Sequence, residues 1–97
     1  MPDFLMLMHN DAVARPLAEM WPTYLTRLRY LGVFDGGSGI GPGKALRKDM
    51  APQVMSGPIT GYIRVRAENL AEAAKLLSGN PVFEGGGTVE IRELSRN

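Results

Sequence analysis

Phe4-Leu5-Met6-Leu7-Met8 is apolar at odd and even positions alike, the pattern of a strand covered on both faces. His9, Asn10 and Asp11 end it with polar, cap-type side chains. Val13, Leu17, Met20, Trp21, Tyr24, Leu28 and Leu31 then recur at the three- and four-residue steps of one helix face. Pro16 suits the first turn of that helix. Pro22 falls inside the pattern, where the missing N–H and the ring predict a kink or a restart, and Gly32 is the natural stop.

From Val33 the chain runs Val-Phe-Asp-Gly-Gly-Ser-Gly-Ile-Gly-Pro-Gly, without helical or strand period, and reads as a flexible connector shaping a pocket rim. Residues 44–50 are mostly charged and read as exposed, Gln53–Met55 as a short strand, and Ser56-Gly57-Pro58 as a turn. Tyr62 to Arg66 alternates, with Ile63 and Val65 on one face and Tyr62, Arg64 and Arg66 on the other. Asn69 followed by Glu72 has the spacing of a capping box, and Leu70, Ala73, Ala74 and Leu77 form the apolar side of a second helix that Gly79 ends. Asn80-Pro81 opens a loop through Gly85–Gly87, and Thr88 to Leu94 alternates again with Val89 and Ile91 inward.

The order strand, helix, strand, strand, helix, strand is the split βαβ plan: a ferredoxin-like α+β fold, two helices on one face of a four-stranded antiparallel sheet. Two layers leave the other sheet face in water, yet the first strand is apolar on both sides. A second copy packed sheet to sheet is the economical cover, and a long loop folding back is the alternative.

The 97 residues leave room for one domain, 1–97. Eleven basic against ten acidic groups give a net charge of +1, which offers nothing to track a phosphate backbone, so no nucleic-acid partner is expected. The absence of cysteine and the single His exclude thiolate or histidine-rich metal centres, and no metal or cofactor is expected. No apolar run approaches a membrane span and no basic leader precedes one, so the expectation is a soluble, cytoplasmic protein without membrane attachment.

The glycine run is not a nucleotide loop. Ser38 stands where a phosphate-binding loop needs its first glycine, Ala45 replaces the magnesium-binding hydroxyl, and Pro42 occupies the third glycine position of a dinucleotide motif. His9, following a covered strand, is the best single candidate for proton transfer; Asp11 either orients it or caps the helix. Trp21 and Tyr24 lie on the apolar helix face, as core residues or with the phenol reaching a pocket. Arg64 and Arg66 suit an anion or pairing with Glu90 across a dimer. There is no serine elbow and no recognisable carboxylate pair.

FLMLMHN (4–10), WPTYLTRLRYLGVFDGG (21–37), SGPITGY (56–62) and AENLAEAAKLLSGNPVFEGGGTVEIREL (67–94) together resemble the YCII-related family, including its DGPF branch, over nearly the whole chain. The resemblance implies a dimeric α+β barrel of ferredoxin-like subunits. It also implies a His/Asp pair, the His opening a His-Leu-x-Arg-Leu segment in the first helix and the Asp in an Asp-Pro pair after the second. Here those places read Tyr24-Leu25-Thr26-Arg27-Leu28 and Asn80-Pro81, and the DGPF turn reads Ser56-Gly57-Pro58-Ile59. Tyrosine is a poor base at neutral pH and asparagine does not titrate, so the family's acid/base chemistry does not carry over unchanged.

The expected site is one small cavity with His9, Tyr24 and Asn80 as its polar groups and Met6, Met8, Trp21, Ser38 and Phe83 around the ligand. The first functional reading is a small-molecule-binding homodimer. The alternative is a lyase- or hydrolase-type enzyme acting on a small aromatic or carbonyl metabolite with His9 as acid/base. A third is an interaction module, DGPF-type proteins being associated with transcription initiation.

Overall fold

The computed structural model describes residues 1–52 and 59–95. Strand β1 (Asp3–His9) is followed by helix α1 (Met20–Tyr30), strands β2 (Phe34–Gly39) and β3 (Ile59–Arg66), helix α2 (Leu70–Lys75), the single helical turn α3 (Pro81–Glu84) and strand β4 (Val89–Glu93). The sheet order is β2-β3-β1-β4, every pair antiparallel, and this is the ferredoxin-like α+β arrangement.

The alternation along β1 sets the two faces. Phe4, Met6 and Met8 are buried beneath the helices with Tyr24 and Leu28 of α1, Ile63 and Val65 of β3, and Ala73 and Leu77. Leu5 and Leu7 are half-buried on the opposite face, among Tyr62, Arg64, Glu90 and Arg92 of the neighbouring strands. Arg64 and Arg66 meet Asp3 and Asp35 of their own chain, the shortest contact being Arg64 Nε to Asp35 at 3.1 Å. Within the chain, Glu90 instead faces His9 and Arg92.

Four expectations are corrected. The first helix does not run from Val13: Val13 and Leu17 are exposed, and α1 begins at Met20. Pro22 is therefore in its first turn, where an N–H has no intrahelical partner, and marks the start instead of a kink. The first part of the glycine run is not a loop but the edge strand β2, with Ile40–Gly43 left outside any element; β2 fills the second-strand place assigned to Gln53–Met55, and those residues and the Ser56–Pro58 turn lie outside the described part. Gly36 has φ +98° at the register shift between Phe34 and Gly37, the bulge geometry that glycine serves. A Cβ on Gly37 would meet the Tyr62 carbonyl oxygen at 2.6 Å, so the missing side chain lets the two backbones approach. The Asn80–Pro81 loop contains α3, since Pro81 takes the first helical position and the Asn80 carbonyl oxygen Oδ1 accepts from the N–H groups of Val82 and Phe83 at 3.0 and 3.1 Å. Finally, Leu70 of the second helix is exposed, while Leu76 packs on the core in addition to Ala73 and Leu77.

Candidate functional site

Residues directly opposed across antiparallel strands share a face, so the helix-facing surface of the sheet can be read row by row. One row is Met8, Gly61, Gly39 and the next Met6, Ile63, Gly37. Toward β2 the side chains run out. Above this bare floor lie Trp21, Leu25 and Arg29, one flank of α1 at four-residue steps. The result is a cavity of about 480 Å³ closed by Phe34 and Val82 and mostly apolar in its lining, a size within the ordinary range for small-molecule sites. Ser38, Thr60 and Tyr62 also line it. The Ser38 hydroxyl donates to the Gly39 carbonyl at 2.9 Å and the Thr60 hydroxyl to that of Met8 at 3.5 Å, so both protons serve the strands.

Met8, Trp21 and Ser38 thus stand at the cavity. Phe83 does not: the first turn of α3 directs it outward, 47% exposed, and Val82 takes the wall position.

Tyr24 and Asn80 come together one layer behind that wall. Tyr24 packs edge-on against Trp21, with ring centroids 6.1 Å apart and planes at 69°; its phenol donates to the Leu76 carbonyl at 2.8 Å and lies 3.6 Å from the Met6 sulfur. Burial pushes its pKa above the usual 10.0, against the opposing pull of the Asn80 amide and the Arg27 guanidinium. Asn80, wholly buried, caps α3 through Oδ1 and so fixes Val82 in the wall, while its Nδ2 has no acceptor among the described residues. The phenol and the amide here join elements: Tyr24 ties α1 to the Leu76 carbonyl and Asn80 ties the turn before α3 to its first N–H groups.

The Tyr24 hydroxyl gives a test of this assignment. Tyr24→Phe leaves the Leu76 carbonyl unpaired in the core and is expected to cost about 1–3 kcal/mol in denaturant titrations. A folded-state pKa above the unfolded one gives stability that is complete below about pH 10 and lost as pH rises through the folded value. The difference between wild type and variant therefore narrows from pH 8 to pH 11; a constant difference contradicts the buried-phenol assignment.

His9 is separated from this pair by the sheet. It belongs to the face of Leu5 and Leu7, where its Nε2 lies 2.7 Å from Glu90 Oε2. Asp11 neither orients His9 nor caps α1. Its carboxylate accepts the Thr88 backbone N–H at 2.8 Å and the Thr88 hydroxyl at 2.7 Å, and these bonds hold its pKa below the usual carboxylate value. The single-cavity arrangement of His9, Tyr24 and Asn80 is corrected accordingly. Sequence reasoning missed Arg29, Gly39 and Gly61; the glycines carry no side chain from which a strand face could be read. Among the described residues no group of three or more His, Cys, Asp or Glu side chains could hold a metal ion, and no helix is long and apolar enough to cross a membrane.

No family model and no curated protein matches this chain. Among solved structures, it is similar to 5-chloro-2-hydroxyhydroquinone dehydrochlorinase (TftG) from Burkholderia phenoliruptrix AC1100, in a complex with 2,5-dihydroxybenzoquinone. The match covers 98% of this chain and 95% of that one, with a TM-score of 0.56 and 12% sequence identity. What the two share is the fold. At that identity, nothing about the reaction transfers with it.

Proposed function

We propose that this protein is a small-molecule-binding subunit of the YCII-related type, acting as a homodimer, with its ligand in the cavity between α1 and the β2–β3 ribbon. The observation that carries the reading is the bare floor: Gly37, Gly39 and Gly61 withhold side chains where the helix flank supplies Trp21 and Leu25. A filled position there would have closed a two-layer domain of this size into one continuous core. TftG supports the reading in kind, as a protein of the same fold whose structure holds a small, flat ring compound.

Binding is favoured over catalysis because Tyr24 and Asn80 occupy the places where the resemblance puts an acid/base pair. The Tyr24 hydroxyl and the Asn80 Oδ1 are committed to structural hydrogen bonds. The alternative with His9 as acid/base gains a carboxylate neighbour in Glu90, but His9 stands across the sheet from the cavity that Met8, Trp21 and Ser38 line.

The chain has a single tryptophan, and it lines the cavity. A screen of small aromatic and carbonyl compounds, read on the one indole N–H resonance of Trp21, is expected to return saturable shifts accompanied by a concentration-dependent rise in melting temperature. Hits that stabilise the protein but leave Trp21 and the β2 amides unmoved would remove the cavity from the proposal.

The homodimer rests on the other face. Leu5 and Leu7 stand half-buried between the Arg64, Arg66, Asp3, Asp35 cluster and the His9–Glu90 pair, a surface with both charge signs around an apolar strip, as self-association requires. Light scattering is expected to give twice the chain mass at micromolar concentration. Leu7→Asp, which adds a carboxylate beside Glu90, is expected to give the single-chain mass with the fold retained. A one-chain mass for the unaltered protein contradicts the dimer.

A further inference from the structure

We infer that the cavity selects a planar ligand bearing an oxyanion, and that Arg29 is the residue that reads the charge. The inference rests on the cavity reading above and adds to it the chemical class of the ligand.

Among the described residues, Arg29 is the one formally charged residue lining the cavity, and no carboxylate lines it. It projects from the last turn of α1, and its guanidinium carbon lies 4.9 Å from the centroid of the Phe34 ring. Stacking on an aromatic face holds a guanidinium plane in place while leaving its edge donors free. The arginines of the opposite sheet face behave differently: Arg64, Arg66 and Arg92 each have a carboxylate within ion-pair distance. Among the described residues, Arg29 has no such partner. A fixed cation at the mouth of a low-polarity cavity, without internal neutralisation, favours an anion there and disfavours a cation.

The remaining lining constrains shape. Trp21 and Phe34 offer aromatic surfaces, Leu25 and Ile63 aliphatic ones, and the glycine floor admits close approach of a flat group to the backbone. The Ser38 and Thr60 protons are directed to strand carbonyls, so neither is free to mimic the charge reader. An aromatic or quinonoid ring carrying a carboxylate, or an acidic ring hydroxyl in its ionised form, meets both requirements.

The test uses matched pairs on the intact protein: benzoate against benzamide for the carboxylate, and 2,5-dihydroxybenzoquinone against its dimethyl ether for the ring oxyanion. Binding is read on the Trp21 indole resonance. In at least one pair the anionic member is expected to bind about ten- to a hundredfold more tightly, the worth of one charge-assisted hydrogen bond. Whichever pair responds identifies the source of the charge. Arg29→Met, which keeps an apolar stem beside Phe34, is expected to abolish that preference, so that the anionic and neutral members of the pair bind alike, with a thermal melt checking that the fold is kept. Equal affinities within both pairs, or a preference that survives Arg29→Met, overturns the inference and leaves the cavity reading standing. Silence of Trp21 toward all four compounds overturns both.

Discussion

Gly39→Leu is expected to abolish binding at the cavity without weakening the fold. Gly39 faces the helices in register with Gly61, and its φ is not in the left-handed region, so a side chain brings no backbone strain. The nearest heavy atom to a Cβ built there is the Thr60 carbonyl oxygen at 3.9 Å, ordinary contact with open space beyond. Leucine would extend into the volume beneath Trp21 and Leu25, where a flat ligand has no other place to lie. Affinity is expected to fall by about a hundredfold or more, beyond the 1–3 kcal/mol of one lost polar contact. Stability should hold or rise, because a glycine in a strand costs roughly 0.5–1 kcal/mol relative to a residue with a side chain. Calorimetry with any cavity ligand, beside a thermal melt, measures both quantities; an unchanged Kd would locate the ligand elsewhere.

Gly87→Ala is expected to do the reverse, costing stability at a distance from the ligand. A Cβ at Gly87 would lie 2.7 Å from Val82 Cγ1 and 3.0 Å from both the Ala12 nitrogen and the Val82 carbonyl oxygen. Two of those three atoms are backbone, so no rotamer change relieves the contact. The segment between β1 and α1 is bound here on two sides, with Val13 and Ala14 N–H groups donating to the Gly85 carbonyl and Asp11 holding Thr88. Overpacking at such a junction costs about 1–3 kcal/mol, or roughly 5–20 °C in melting temperature for a domain of this length. Because Val82 belongs to the cavity wall, a modest loss of affinity accompanies the fall. A melt within a degree or two of wild type would mean that the turn repacks freely.

The contrast between these glycines explains what the sequence made legible. The sheet and its two faces follow from the alternation in Tyr62–Arg66, which fixes the register of that strand, and from the run Phe4–Met8, whose apolar residues at every position mark a strand covered on both sides. The second strand did not announce itself. Its interior is aspartate, glycine and serine, residues with low strand propensity, and it forms because a bulge at Gly36 and a close approach at Gly37 fit β3. The start of α1 was hidden for a related reason: Val13 and Leu17 continue the helical period by coincidence, and the segment instead lies against the Gly85–Gly87 turn. The neighbourhood of Tyr24 and Asn80 was reached through a resemblance, whereas the cavity itself is defined by absent side chains, which a search for chemically active residues passes over. Arg29 was obscured because one arginine among eleven basic groups carries no pattern.

An edge strand of this composition also sets a timescale. β2 has a neighbour on one side only, Gly36, Gly37 and Gly39 among its six residues, and almost no buried surface of its own, so it occupies the low end of local opening free energies. Its amides should exchange with solvent well before those of β1, which is flanked on both sides. Peeling β2 away from β3 unroofs the cavity from below while α1 and the core remain assembled, giving a ligand an entry route that asks no helix to move. Occupancy would then couple to exchange: a bound ring holds the ribbon closed, and protection of the β2 amides rises with saturation while that of β1 does not change.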